Sequence, residues 1–153
     1  AALPEAHPGA RRVGELQELM CLVLRLADST APDVEAIHQL GEGWVAEEAL
    51  AIALVCALRH EDDFEGTVVS AVNHSGDSDS TGAIAGNIVG AHLGLGGIPR
   101  RYTERLELAD VVLALADDLF TGCPITEYRA SPDGVWEHKY LPPMDYVEWK
   151  RGR

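Results

Sequence analysis

Apolar positions recur at helical spacing through most of the chain. Leu16, Met20, Val23 and Ala27 lie three or four residues apart, with Glu15, Glu18 and Arg25 between them, which predicts a helix over 13–28. Ser29-Thr30-Ala31-Pro32 breaks it. A short helix is expected from Asp33 to Leu40, before Gly41 and Gly43 punctuate a turn. Residues 45–59 (VAEEALAIALVCALR) differ, because after Glu48 nearly every face is apolar. A helix that is hydrophobic all round belongs at the centre of a bundle. A strand is the weaker reading, since this stretch, rich in Ala and Leu, exceeds ordinary strand length. Glu47 and Glu48 at its start and Arg59 at its end suit the helix dipole.

Glu61-Asp62-Asp63 is expected to start another short helix, with Phe64, Val68 and Val72 on one face. The polar stretch 73–79 then leads into a helix over 80–93. Ile84 and Ile88 mark one side of it, and Gly82, Gly86 and Gly90 another. An interior helical Gly costs about 1 kcal/mol relative to Ala. A stripe of them therefore calls for close approach by another helix or by a ligand. Gly94 to Gly97 read as a loop, and Pro99 suits the first turn of a helix near 99–105. Leu108, Val111, Val112, Leu115 and Leu119 make an amphipathic helix, with Asp110, Asp117 and Asp118 outside. After Thr121-Gly122, segments 126–129 and 135–140 flank the turn sequence Ser131-Pro132-Asp133-Gly134, so a small hairpin is expected. Trp136, Tyr140, Tyr146 and Trp149 are expected to pack back on the helices. The predicted fold is all-α, a multi-helix bundle with a short irregular or hairpin tail. Residues 1–12 read as a linker, 13–120 as the helical domain and 121–153 as the tail.

Composition narrows the function classes. The 153 residues suffice for one domain with a real core. The formal net charge of −13 argues against a nucleic-acid or anionic-membrane surface, because both demand a positive field. A local anion site fed by metal ions and backbone N–H groups is compatible with it. Cys21, Cys56 and Cys123 are odd in number and have no CxxC spacing, so a disulfide framework and a zinc site are disfavoured and a reducing, cytoplasmic setting is expected. No apolar run reads as a membrane span or a signal peptide. The opening AALPEAHP reads as the middle of a longer chain.

The chemistry concentrates in Gly76-Asp77-Ser78-Asp79-Ser80-Thr81. Small residues at 76 and 78 let the backbone bend so that both carboxylates converge on one point. Two carboxylates and a hydroxyl are hard oxygen ligands of the kind magnesium, manganese or calcium prefers. Asp and Ser before a helix are also common N-caps, and from spacing alone capping is the stronger reading. An EF-hand fails, because its terminal Glu is absent and the helix begins too soon.

The wider stretch from Ala71 to Ala91 (AVNHSGDSDSTGAIAGNIVGA) closely resembles the C-terminal metal motif of the ADP-ribosylglycohydrolase family, which includes the dinitrogenase-reductase-activating glycohydrolases of bacteria. The resemblance extends upstream through Leu40 to Leu50 (LGEGWVAEEAL) and downstream through Ile98-Pro99 to Leu119. It implies an all-α bundle of orthogonal helices around a central cleft. It implies two magnesium ions, with manganese as a substitute, and hydrolysis of the bond between ADP-ribose and a protein side chain or small acceptor. Carried onto this chain, it places Asp77, Asp79 and Ser80 as metal ligands, Ser80 standing where the family usually has Thr. His74, Ser75 and Gly76 become substrate-binding candidates. The implied partner is an ADP-ribosylated protein or ADP-ribose derivative, with no nucleic acid or membrane involved. The family's other ligands lie in a Gly-Asp motif and an acidic-acidic-Thr motif of an N-terminal half, and neither motif is found here. Asp62-Asp63 and Asp117-Asp118 do not occupy the matching places and read as helix-start and solvent-face residues. The chain is therefore expected to hold part of the site and to need the missing N-terminal half, and to be inactive alone. The rival readings are a non-catalytic metal- or ADP-ribose-binding module, one half of a split enzyme, and a small domain stabilised by calcium.

Other residues read more plainly. His74 is as readily a loop histidine as a substrate contact, and Asn73 and Ser75 suit hydrogen bonds within the turn. Cys56 and His60, four apart, resemble a thiol and its base, but their apolar surroundings favour an inert buried thiol. Trp44 is expected in the core, with a cleft wall as the alternative. Gly94 and Gly96-Gly97 are weak diphosphate-loop candidates.

Overall fold

Residues 13–121, 128–130 and 136–138 are described by the structure, a computed structural model. Their helices are α1 (Val13–Ala27), α2 (Asp33–His38), α3 (Ala46–Arg59), α4 (Phe64–Val72), α5 (Ser78–Gly97), α6 (Arg100–Thr103) and α7 (Ala109–Thr121). Two short strands, β1 (Tyr128–Ala130) and β2 (Trp136–His138), pair antiparallel with Arg129 opposite Glu137. The expected all-α class holds, and the hairpin sits where it was expected. The chain divides into two compact units, Ala1–Pro99 and Arg100–Arg153, and each is described by itself. The predicted linker 1–12, the turn 131–134, Cys123 and the tail aromatics Tyr140, Tyr146 and Trp149 lie outside the described residues.

In the first unit α3 is the central helix. It packs against α1, α2, α4 and α5. Ala51, Ile52 and Ala53 are all buried, while the face bearing Leu50 and Leu58 meets solvent. The Ala residues let neighbours approach, while Ile52 and Val55 fill the space together with Ile37 of α2 and Val23 of α1. Each of these large side chains contributes roughly 1.5–3 kcal/mol by leaving water.

The glycine stripe of α5 faces α4, running antiparallel to it. A Cβ on Gly82 would lie 2.5 Å from Val72 Cγ1, one on Gly86 3.8 Å from Val68 Cγ2, and one on Gly90 3.9 Å from Phe64 Cε2. The stripe therefore seats the apolar face of α4, the helix of the two expected alternatives. Only Gly82 is sterically required. Two boundaries differ from expectation. The helix after Glu61-Asp62-Asp63 begins at Phe64, with Asp63 in the cap position. The predicted loop 94–97 is instead a last helical turn beyond a kink, where Gly94 takes φ +68°. Glycine reaches that left-handed backbone at little steric cost, so one residue bends the chain and helical geometry resumes.

A polar staple closes the end of α3. Arg59 donates from Nη1 to the carbonyls of Leu26 (2.9 Å) and Ser29 (3.3 Å) and from Nη2 to that of Ala31, and its Nε meets Asp33 Oδ1 at 2.8 Å. The α1–α2 connection is thereby folded over the C-terminus of α3, where a cation is favoured. His60 Nε2 lies 2.7 Å from Asp33 Oδ2, and Thr67 Oγ1 donates to the His60 carbonyl at 2.9 Å. Partial burial pushes the Asp33 carboxyl up, but hydrogen bonds from His60 and Ser70 and the charges of His60 and Arg59 outweigh it and hold it below its ordinary value.

In the second unit α6 follows Pro99, as expected, and the Arg101 guanidinium lies 5.3 Å from the Tyr102 ring centre. Leu108 takes a left-handed φ of +57° just before α7. Among the described residues no helix is long and apolar enough to cross a membrane.

Candidate functional site

Two loops meet at the start of α5. The first is the turn Leu40–Val45, in which Gly41 and Gly43 take φ of +121° and +80°. Glu48, in the first turn of α3, reaches back to accept the N–H groups of Glu42 (3.2 Å) and Gly43 (3.1 Å). This arrangement resembles a capping box and satisfies donors the turn would otherwise leave open. The second loop, 73–77, is pinned to the first. Asp77 N–H donates to the Glu42 carbonyl at 2.8 Å, and a Cβ on Gly76 would collide with that same carbonyl. Gly76 is there because two backbones touch.

The second loop wraps around the His74 ring. Gly76 N–H donates to His74 Nδ1 at 3.1 Å, and His74 Nε2 lies 2.9 Å from Thr81 Oγ1. Thr81 is 0% exposed, and its hydroxyl is 2.7 Å from the Ala71 carbonyl at the end of α4. Ser78 Oγ donates to the His74 carbonyl at 3.1 Å, and Asn73 Nδ2 donates to the Val69 carbonyl at 2.6 Å.

Against this frame stand Asp77, Asp79 and Ser80. Asp77 occupies the cap position of α5 but makes no cap hydrogen bond of normal geometry. The Ser80 N–H lies 3.1 Å from Asp79 Oδ1 and also favours the Asp77 carboxylate. The Asp77 carboxyl is held below its ordinary value first by the neighbouring Asp79 carboxyl, which donates to it only when protonated, then by the Ser80 hydroxyl and the Ser80 N–H, with the His74 ring contributing least. The two carboxyls and the hydroxyl are electrostatic neighbours at the start of α5, with Asp79 exposed and Asp77 and Ser80 half-buried. Among the described residues no group of three or more His, Cys, Asp or Glu side chains is arranged to hold a metal ion. The hard oxygen donors present fit part of the shell of a divalent cation such as magnesium.

A cleft of about 440 Å³ opens beside the loop, lined by Val34, Ile37 and His38 of α2, Gly41 of the turn, Val72 of α4, and Asn73, His74 and Ser75. Of the substrate-binding candidates, His74 and Ser75 reach this wall, whereas Gly76 is turned against Glu42. Trp44 corrects an expectation. It is 67% exposed, its indole N–H donating to Glu42 Oε2 at 3.1 Å, because the turn projects it away from α3. Cys56 and His60 are not partnered with each other: Cys56 Sγ lies 3.4 Å from Ser70 Oγ, and His60 is engaged with Asp33. Burial pushes the Cys56 thiol up, which suits the inert reading.

Three residues were not singled out from sequence for the roles they take here. Glu48 carried a legible signal, a glutamate in the first helical turn after a glycine turn. Thr81 stood in the singled-out segment with no role of its own, and His38, which lines the cleft, carried no signal, since both places depend on where α4 and the loop arrive.

The first unit thus presents an acidic, hydroxyl-bearing loop at the start of a glycine-striped helix, beside a cleft with polar lining. The model of the ADP-ribosylglycohydrolase family matches residues 1–128, and the chain belongs to that family. It is 36% identical over 64 residues to the ADP-ribosyl-[dinitrogen reductase] glycohydrolase of Rhodospirillum rubrum, covering 36% of this chain and 22% of that protein. It is 31% identical over 72 residues to the ADP-ribosylarginine hydrolase Tri1 of Pseudomonas putida, covering 47% of this chain and 19% of that protein. To the human ADP-ribosylhydrolase ARH3 it is 26% identical over 125 residues, covering 75% of this chain and 33% of that protein. The chain thus spans a fifth to a third of the length of these relatives. No solved structure matches it.

Proposed function

We propose that this chain supplies one part of a magnesium-dependent ADP-ribosylglycohydrolase site, hydrolysing the glycosidic bond between ADP-ribose and a protein side chain or small acceptor. The observation that carries this reading is the convergence of Asp77, Asp79 and Ser80 on the frame set by Glu42, His74 and Thr81. The names of the relatives, each a hydrolase of ADP-ribosyl groups, support the reaction class.

Asp77, Asp79 and Ser80 are the residues that would hold magnesium, or manganese in its place. Bound metal would supply Lewis-acid orientation of ribose hydroxyls and a water. The Asp77 carboxyl is held below its ordinary value, so it is ionised and offers a negative oxygen at neutral pH. The same carboxylates favour the oxocarbenium-like charge that develops as the glycosidic bond breaks. Ser75 and Asn73 offer polar contacts along the adjoining cleft, with the carbon edge of the His74 ring beside them, in a reducing, cytoplasmic setting.

The test is ADP-ribose release from an ADP-ribosylated protein, with magnesium present and after chelation, by the chain joined to the remaining family segment. Asp77→Ala and Asp79→Ala are expected to abolish metal-dependent release. Unchanged turnover in either variant overturns the reading. A second reading is favoured by the lack of a three-ligand cluster among the described residues. In it the chain is a metal- or ADP-ribose-binding module, or one half of a split enzyme completed by another chain. Saturable manganese binding without hydrolysis by the joined protein selects it.

A further inference from the structure

We infer that Thr81, acting through His74, is a positioning residue for the carboxylate loop, an inference that rests on the reading of 77–80 as the metal-holding segment. The hydrogen-bond directions are set by one unambiguous donor. Gly76 N–H points to His74 Nδ1, so Nδ1 is the acceptor and the ring proton sits on Nε2. That proton is donated to Thr81 Oγ1 at 2.9 Å. The Thr81 hydroxyl has one hydrogen of its own, and its shortest contact is the Ala71 carbonyl at 2.7 Å. A chain of donors therefore runs from Gly76 through His74 and Thr81 to the last turn of α4.

This chain decides where the loop can sit. Both His74 nitrogens are engaged inside the protein, which leaves the ring's carbon edge for the cleft. The Thr81 methyl fills the space before Gly43, where an added Cβ would lie 3.0 Å away. Thr81 thus touches both loops, one through its hydroxyl and one through its methyl. The adjacent Asp77 N–H completes the closure on the Glu42 carbonyl at 2.8 Å. Asp77 and Ser80 are held in register between these fixed points, so their geometry is set before any cation arrives, the preorganisation a metal site requires.

The experiment uses the full chain labelled with ¹⁵N, in wild type and in Thr81→Val, Thr81→Ser and His74→Ala. In wild type the His74 nitrogens are expected to show the neutral tautomer protonated at Nε2. In Thr81→Val the His74 signature is expected to change and the Gly76 and Asp77 amides to exchange at least tenfold faster, with the amides of α3 unchanged. Thr81→Ser, which keeps the hydroxyl, restores the wild-type signature. His74→Ala, at a half-buried position, repeats the amide effect should Thr81→Val fail to fold. Manganese titration is expected to show at least tenfold weaker binding in Thr81→Val and recovery in Thr81→Ser. A wild-type ring protonated at Nδ1, Gly76 and Asp77 amides indifferent to His74→Ala, or a serine variant that does not rescue would each overturn the inference. If wild type binds no manganese while the amide and tautomer results hold, the metal reading fails and the positioning of the loop by Thr81 stands.

Discussion

Replacing Gly76 by alanine tests the loop clamp most directly. The added methyl carbon would collide with the Glu42 carbonyl and come within 2.8 Å of the Glu42 Cα, so the obstacle is backbone and no rotamer change relieves it. The loops must separate, and that breaks the 2.8 Å hydrogen bond from Asp77 N–H to Glu42. Overpacking of a tight contact costs about 1–3 kcal/mol. Losing a hydrogen bond and leaving its groups poorly satisfied adds about 1–2 kcal/mol. The expected destabilisation is roughly 2–5 kcal/mol, a fall in Tm of about 5–15 °C for a chain of this size. Gly86→Ala is the matched control. Its new Cβ would meet Val68 Cγ2 at 3.8 Å, an ordinary contact, so the helix-propensity gain of about 0.5–1 kcal/mol remains and Tm should rise slightly. Circular dichroism melts of both variants decide the matter. A Gly76→Ala protein melting within about 2 °C of wild type would refute the argument that backbone contact dictates this glycine.

Asp33 makes stability pH-dependent. Its folded pKa is lowered, so its contribution is complete above the unfolded carboxylate value of about 3.9 and disappears as pH falls through the folded value. Asp33→Asn should be less stable than wild type at pH 7 and should converge with it in acid, while parallel Tm profiles would exclude the staple. Glu48→Ala frees the Glu42 and Gly43 N–H groups, and urea unfolding should show a loss of about 1–3 kcal/mol. Iodoacetamide labelling of the native chain, mapped by mass spectrometry, should modify the exposed Cys21 and spare Cys56, whose thiol is buried and pushed up. Cys56 labelling at the rate of Cys21 would contradict the burial of α3.

The helices were legible because burial follows from periodicity. The apolar run of 45–59 pointed to the centre of the bundle, and Ala51, Ile52 and Ala53 lie there, although Leu50 and Leu58 meet solvent. The Gly82-Gly86-Gly90 stripe announced a close neighbour, and the spacing of Phe64, Val68 and Val72 matched it. Trp44 misled, because an aromatic at a helix start is sorted inward or outward by the path of its turn, which here depends on Gly41 and Gly43 at positive φ. The kink at Gly94 was hidden for a related reason: a Gly cluster permits either a loop or a bent helix, and local sequence does not choose between them.

For the candidate site the division is sharper. Sequence by itself determined the donor chemistry of the loop, two carboxylates and a hydroxyl within four residues at the entrance to a helix, since donor type is a property of the side chains. It also raised helix capping as a rival. Only the tertiary structure decided that the Asp77 N–H is pinned to the Glu42 carbonyl and that His74 turns both nitrogens inward, onto Gly76 and onto a Thr81 hydroxyl held by Ala71. Each of these depends on contacts between segments distant in sequence, Glu42 with Asp77 and Ala71 with Thr81, and those contacts exist only once α3, α4 and α5 have packed.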